Sequence, residues 1–409
     1  MRKPVVVQGG HVLRWLEGAQ GLFPALIEAV DQARIQVQIE TYIFDDTGAG
    51  TDVAQALERA ALRGVQVWLL VDGAGTGDLS AHWQVRFARA GVAWRVFAPF
   101  GTWGWFYPSR WRRLHRKLCV IDNQVAFCGG INLLDDWHDP NHGRLDRPRL
   151  DFAVQVQGPV VQAIHDTMSQ LWWRTETATQ VRRRDFPEAF TAWRATRWWP
   201  NWRRVAGVQA QAGAGVKVGL LLRDNLSHRG DIERAYLKAI ASARQDIVIA
   251  NAYFLPGRRL RRALVLAAAR GVRVRLLLQG RYEYFMSHHA SRAVYGQLLA
   301  AGVEIHEYQR SFLHAKVAVI DPEHQRPWAT VGSSNLDPLS LLLAREANLV
   351  VHDRDFAQGL HQRLVRAIEE DGQVVAAQDF AQRRWPNRLR EWTALALMRL
   401  ALILTGRRY

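Results

Sequence analysis

The sequence predicts an α/β fold built twice: two duplicated domains, each a mixed β-sheet flanked by helices, with one active site shared at a pseudo-twofold interface. Three repeats carry this reading. LHRKLCVID (114–122) recurs as LHAKVAVID (313–321), which places His115 and His314 199 positions apart in a chain of 409 residues. LRGVQVWLLV (62–71) recurs as ARGVRVRLLL (269–278). A glycine-containing turn ending in asparagine follows each His-Lys segment, GGIN (129–132) in the first copy and GSSN (332–335) in the second.

The elements follow in order. Residues 20–35 read as an amphipathic helix with Leu22, Leu26, Ala29 and Val30 on one stripe. IQVQIETYIF (35–44) alternates and reads as a strand. TDVAQALERAALR (51–63) reads as a helix capped by Thr51 and ended by Gly64, and VQVWLLV (65–71) as the next strand. The second half repeats the order. A helix over 231–243 carries Ile232, Ala235, Tyr236, Ala239 and Ile240 on one stripe. DIVIANAYFLP (246–256) follows, then a helix over 257–270, then Gly271 and VRVRLLLQG (272–280). Each half then has a helix, AGVAWRVF (90–97) or AGVEIHEY (301–308), and the His-Lys strand. Helices on a mixed sheet, written twice, are the layer pattern of a duplicated α/β domain. The domains span residues 1–180 and 216–385. A basic, Trp-rich linker covers 181–215 and an apolar, basic C-terminal helix 386–409.

Composition points to an anionic partner. Lys and Arg number 54 against 38 Asp and Glu, a net charge of +16, which suits nucleic acid or an anionic membrane surface. Seventeen Trp favour the membrane, because Trp concentrates at interfaces. Three segments combine aromatic or apolar residues with arginine. They are FGTWGWFYPSRWRRLHRK (100–117), the cluster Trp193, Arg194, Arg197, Trp198, Trp199, Trp202, Arg203 and Arg204, and WTALALMRLALILTG (392–406). The first stands beside the entrance to the site. The second is either interfacial or a connector packed on the body. The third is too short and too interrupted by Arg399 to span a bilayer, and reads as an interfacial or docked helix. Cys119 and Cys128 lie in apolar strand text and read as free buried thiols, which fits a reducing compartment. The N-terminus lacks the apolar core and cleavage pattern of a signal peptide.

Strand geometry gives the motif its chemistry. Side chains alternate faces, so His115 and Lys117 share one face of their strand, as do His314 and Lys316. Asp122 and Asp321 complete the HxKxxxxD signature with opposite parity, and read as supports at the strand end. Asn132 and Asn335 offer amide donors; turn capping is their plain alternative. Two imidazoles, two ammonium groups and two amides suit a phosphodiester. Lys and Asn hold the non-bridging oxygens, one His attacks phosphorus and the other protonates the leaving oxygen. Each imidazole needs an orienting carboxylate. Asp151, in RLDFAVQV, and Glu346, in AREANLVV, open apolar strands 36 and 32 residues after the two histidines. Glu40 and Asn251 read as equivalent positions in ETYIF and NAYFL that line the site. His138, His142, His288, His289, His306 and His324 show no metal-ligand spacing, and His288-His289 reads as a surface pair. Neither a P-loop nor GxGxxG is present, so neither ATP nor a dinucleotide is implied.

HxKxxxxD followed by GGIN or GSSN, twice in one chain, resembles the phospholipase D superfamily. IANAYFLPG, RGVRVRLLLQG, LHAKVAVID, VGSSNLDPLS and EANLVV bring the resemblance closer to bacterial cardiolipin synthases, the B type in particular, over about residues 8 to 385. One departure is local: six residues separate Asp122 from Gly129, but ten separate Asp321 from Gly332, the extra ones within PEHQRP forming a longer turn. The resemblance implies phosphatidyl transfer by double displacement, with cardiolipin made from phosphatidylglycerol through a phosphohistidine. The N-terminal copy supplies the nucleophile, so His115 attacks and His314 serves as acid and base. No cofactor or metal is implied, because the lysine pair supplies positive charge. Anionic phospholipids, phosphatidylglycerol foremost, and the membrane surface are the implied partners. Glycerol or phosphatidylethanolamine is an alternative co-substrate, and nucleic acid is not expected. The implied location is peripheral, on the bacterial inner (cytoplasmic) membrane, with the site on the cytoplasmic side. A phospholipase D-type hydrolase would use the same residues with water as acceptor. A nuclease of the superfamily would share the basic surface, but the Trp-rich entrance segments argue against it. A catalytically dead membrane scaffold does not explain why both copies keep every motif residue.

Overall fold

The computed structural model describes residues 6–404 apart from 100–110, 140–141, 183–187, 189–190, 192–214, 225–227, 283–284, 338–343 and 384. The Trp/Arg cluster of residues 193–204 and most of the aromatic segment before His115 lie outside the described residues. Two compact units separate by packing. The first is Met1–Cys128 with Asn132–Asp135 and Val154–Leu220; the second is Leu221–Tyr409 with Gly129–Ile131 and Asp136–Ala153. The segment carrying Asp151 thus belongs to the second unit although the first repeat encodes it.

The first repeat runs β1 (Val7–Glu17), α1 (Gly18–Asp31), β2 (Gln36–Thr41), α2 (Gly50–Leu62), β3 (Gln66–Asp72), α3 (Ala81–Ala90), β4 (Ala93–Phe97), β5 (Lys117–Ile121), β6 (Val125–Gly129), β7 (Phe152–Gln157) and α4 (Val160–Arg182). Its strands lie in the order β4–β3–β2–β5–β6–β7–β1. β4, β3 and β2 are parallel, and β5 runs antiparallel to β2. Val37, Gln38, Ile39 and Glu40 in β2 are all buried, because helices cover both faces of this central strand. On one of those faces Gln38 Nε2 donates to Ser169 Oγ of α4 at 3.0 Å.

The second unit repeats the plan: α5 (Asp231–Ser242), β8 (Asp246–Asn251), α6 (Arg258–Ala269), β9 (Arg273–Gln279), α7 (Phe285–Arg292), α8 (Tyr295–Leu299), β10 (Glu304–Tyr308), β11 (Lys316–Ile320), β12 (Trp328–Gly332), β13 (Ala344–His352), α9 (Arg354–Asp371), β14 (Gly372–Val374) and α10 (Trp385–Leu404). The order β14–β10–β9–β8–β11–β12–β13 reproduces the first repeat's β4–β3–β2–β5–β6–β7 strand for strand, with β14 added at the edge. Its core gathers Ile232, Tyr236, Ile249, Leu264, Leu276 and Trp328.

Two expectations change. Thr51 does not cap α2: the helix starts at Gly50 after Ala49, and Thr51 Oγ1 donates to the Asp46 carbonyl oxygen at 3.0 Å. Tryptophan is also not uniformly interfacial. Trp83, Trp172 and Trp328 are buried, and Trp68 stacks on Trp172 at 5.5 Å, whereas Trp385 and Trp392 are exposed.

The C-terminal helix α10 is both docked and amphipathic. Glu391, Ala394, Leu395 and Met398 face inward, and α10 packs along α7. Trp385, Leu389, Trp392 and Leu400 follow a helical spacing on the outer side, where Trp385 is 73% and Trp392 64% exposed. Among the described residues no helix is long and apolar enough to cross a membrane.

Candidate active site

Each His-Lys strand is tied at its end by its aspartate. Asp122 accepts hydrogen bonds from the backbone N–H groups of Arg34, Ile35 and Gln36, each at 2.8 Å. Asp321 does the same for Arg244, Gln245 and Asp246, at 2.8, 2.8 and 3.0 Å. Both aspartates sit at φ 49°, the left-handed region that Asp tolerates better than most residues. Three charge-assisted bonds to the residues that open β2 or β8 fix the register of the adjacent β5 or β11. These carboxylates are committed to the backbone.

The lysines share a second repeated device. Lys117 Nζ donates to the carbonyl oxygen of His115 at 2.9 Å, and Lys316 Nζ donates to that of His314. Both lysines are buried, Lys316 completely. A buried ammonium is costly unless an anion meets it. Asn132 Oδ1 accepts the Ile43 N–H at 3.3 Å and Asn335 Oδ1 accepts the Tyr253 N–H at 3.4 Å. With the amide oxygen so engaged, the other polar group of each side chain is Nδ2, a donor only.

The orienting carboxylate is resolved for one histidine. His314 Nδ1 lies 2.6 Å from Asp151 Oδ2, 163 residues earlier in sequence. Asp151 is therefore a partner of the second-repeat imidazole, although the first repeat encodes it. Its backbone route explains this: Leu150 N–H donates to the Phe312 carbonyl and His314 N–H to the Leu150 carbonyl, at 3.0 and 2.9 Å. With Nδ1 against the carboxylate, Nε2 is the other ring nitrogen of His314. Gly130 makes room, since a Cβ there would stand 2.4 Å from Asp151 Oδ1. In the second repeat Ser333 replaces this glycine, and its hydroxyl donates to Glu346. Asp151→Asn is expected to lower kcat by about 100- to 10,000-fold with unchanged circular dichroism, because the amide stabilises the wrong tautomer. A loss under threefold would remove the orienting role.

The strand register corrects one equivalence. Glu40 pairs with Leu118 and Asn251 with Lys316, so Glu40 corresponds to Ala250 and Asn251 to Thr41. Paired residues in neighbouring strands share a face. Glu40 therefore lies on the face opposite Lys117, where it forms an ion pair with buried Arg116 at 2.8 Å. Asn251 does share the Lys316 face; its Oδ1 accepts the Leu336 N–H at 3.1 Å.

The register also exposes a residue that sequence reading missed. The Tyr42 ring centroid lies 4.9 Å from that of His115, and Lys117 Nζ lies 5.4 Å above the tyrosine ring. Its counterpart one half later is Ala252, so the two half-sites differ here. His288 is partly buried, and burial with the neighbouring Arg292 and His289 pulls its pKa down to about 4.

The sequence matches the family described as "Cardiolipin synthase, PLD-like domain" over residues 26–172 and 236–368, one match per repeat. The chain belongs to that family. It is 37% identical to cardiolipin synthase B of Escherichia coli over 97% of this chain and 90% of that one. Identity to cardiolipin synthase A of Pseudomonas putida is 31%, over 89% of this chain and 69% of the relative. The fold is shared with the crystal structure of phosphatidylserine synthase from Haemophilus influenzae, at a TM-score of 0.67 and 12% identity, covering 97% and 96% of the two chains.

Proposed function

We propose that this protein is a membrane-bound phosphatidyltransferase that makes cardiolipin from phosphatidylglycerol. The observation that carries the reading is the His314–Asp151 pair, which prepares one imidazole for proton transfer beside a buried lysine. The duplicated His115–Lys117 pair supplies a second imidazole and ammonium, and similarity to cardiolipin synthase B over nearly the whole chain supports the substrate assignment.

In this reading both half-sites act on one phosphodiester. Lys117, Lys316 and the Nδ2 groups of Asn132 and Asn335 hold its non-bridging oxygens. A His115 ring nitrogen attacks phosphorus, the phosphorus–oxygen bond to glycerol breaks, and Nε2 of protonated His314 delivers a proton to the departing oxygen. The glycerol hydroxyl of a second phosphatidylglycerol then gives its proton to His314. Its oxygen bonds to phosphorus as the nitrogen–phosphorus bond breaks, and both histidines return to their starting state. By duplication, Glu346 is the carboxylate assigned to His115. The domain division at 1–180 and 216–385 and a position on the cytoplasmic face of the inner membrane belong to the same proposal.

The test is mass spectrometry of lipids after incubating purified protein with phosphatidylglycerol alone, with phosphatidylethanolamine, or with free glycerol. Cardiolipin and glycerol are the expected products. Phosphatidic acid alone in every arm would replace transfer by hydrolysis.

Membrane attachment through α10 supports the same reading. The outer stripe presents Trp385, Leu389, Trp392 and Leu400, with exposed Arg388 and Arg390 beside it, a combination suited to anionic headgroups over an apolar layer. Deleting the helix would strip Ala394, Leu395 and Met398 from the core, so the informative variant is Leu389→Ser with Trp392→Ser. Its binding to phosphatidylglycerol vesicles is expected to fall on the order of 10-fold with the melting curve preserved. Unchanged co-sedimentation would reject the interfacial role.

A further inference from the structure

The two repeats differ where Tyr42 of the first is replaced by Ala252 in the second. Tyr42 packs against the His115 ring and Lys117. Ala252 carries only a methyl group in place of the tyrosine ring. A small open cleft lies there, lined by Ala252, Tyr253, Gln279, Arg281, His288 and Arg292 among others. Every one of these residues belongs to the second unit.

Backbone contacts place the cleft next to the His314 half-site. Ala252 N–H donates to the Ala315 carbonyl, between His314 and Lys316, at 3.0 Å. Tyr253 N–H is held by Asn335 Oδ1, and Gln279 Oε1 accepts the Leu313 N–H at 2.8 Å. Three of the lining residues are thus bonded to the segments that carry His314 and Asn335.

The lining selects an anion with hydroxyl groups. Arg292 is paired with Glu307 at 3.0 Å, so its charge is largely answered. Arg281 has no carboxylate partner among the described residues; its guanidinium lies 5.8 Å from the Phe312 ring. Gln279 Nε2 is buried and has no hydrogen-bond acceptor. With His288 neutral at pH 7, the cleft offers one unneutralised cation, an amide donor and an imidazole that exchanges hydrogen bonds.

We propose that this cleft binds the headgroup phosphate of the acceptor lipid, with Arg281 and Gln279 on the phosphate oxygens, so that the acceptor's free hydroxyl is presented to His314. The assignment rests on the transferase reading above. It gives the duplicated site a division of labour: the filled half, with Tyr42, holds the nucleophile, and the opened half, with Ala252, receives the second lipid.

The experiment compares wild type with Arg281→Gln, Arg281→Lys and Ala252→Tyr. Two acceptors are supplied to the same phosphatidylglycerol donor: a second phosphatidylglycerol, which carries a phosphate, and free glycerol, which does not. Cardiolipin and exchanged labelled glycerol are counted separately. Arg281→Gln is expected to lower transfer to phosphatidylglycerol by about 10-fold or more, the scale of one hydrogen bond to a charged group, and transfer to glycerol less than twofold. Arg281→Lys recovers part of the loss, and Ala252→Tyr, which rebuilds the filled half, reproduces it. Equal losses with both acceptors overturn the proposal, as does no loss. Equilibrium binding of glycerol phosphate and of inorganic phosphate to the same proteins gives a readout independent of turnover. Glycerol phosphate is expected to bind more tightly, with about 10-fold weakening in Arg281→Gln. Equal binding of inorganic phosphate overturns the lipid assignment in favour of a free-phosphate site. If wild type makes no cardiolipin yet shows the Arg281-dependent preference for glycerol phosphate, the transferase reading falls while the headgroup site stands.

Discussion

His115→Asn and His314→Asn are each expected to lower cardiolipin formation at least about 10,000-fold, because the proposed double displacement gives one histidine the attack and the other the proton transfer. The losses should separate once the leaving group is changed. A phosphodiester with an acidic alcohol, such as p-nitrophenol, departs without a proton. Against that substrate His314→Asn should still release a burst of p-nitrophenol, near one equivalent per enzyme, and then stall as phosphatidyl-enzyme, since deprotonating the incoming alcohol still needs His314. His115→Asn should show no burst. Rapid-quench measurement of p-nitrophenol, with phosphorus-labelled protein recovered from the stalled variant, distinguishes the roles. A burst from His115→Asn and none from His314→Asn would reverse the assignment. Full turnover by either variant would falsify the view that the two histidines serve one reaction.

Much of this site was legible because strand periodicity is rigid. Parity alone put His and Lys on one face and the aspartate on the other, and Asp122 and Asp321 indeed turn to backbone N–H groups. What was not legible depended on register between strands. Glu40 and Asn251 look alike in aligned text, yet the pairing of β2 with β5 and of β8 with β11 shifts them by one residue, which moves Glu40 to the opposite face. The same shift hid Tyr42, which lies within the strand read over 35–44. The partner of His314 was hidden for another reason. Asp151 reaches it through a loop that packs outside its own repeat, and sequence spacing carries no such information. Among the helices, α4 escaped because Gln180, Glu176, Ser169 and His165 are buried among its apolar residues and break the stripe.

Asp321 provides the second large effect, on stability in place of chemistry. In Asp321→Ala, three backbone N–H groups lose their acceptor, and an alanine must hold a left-handed φ. An unsatisfied buried N–H costs about 1–3 kcal/mol, and the strained backbone about 1–2 kcal/mol more. Because water reaches some of these amides, the total should be about 3–5 kcal/mol. Asp122→Ala should cost less, since two of its three hydrogen bonds are exposed. Asparagine separates support from catalysis: it tolerates the same φ, keeps one acceptor oxygen and cannot act as a base. Asp321→Asn is therefore expected to lose about 1–2 kcal/mol in denaturant unfolding while kcat per folded molecule stays within about fivefold of wild type. Wild-type unfolding with kcat reduced 1,000-fold or so would instead place this carboxylate in the reaction. The expected pattern follows from where the oxygens point: a carboxylate already accepting three N–H bonds stabilises the register of β11, and the register in turn sets where His314 and Lys316 stand.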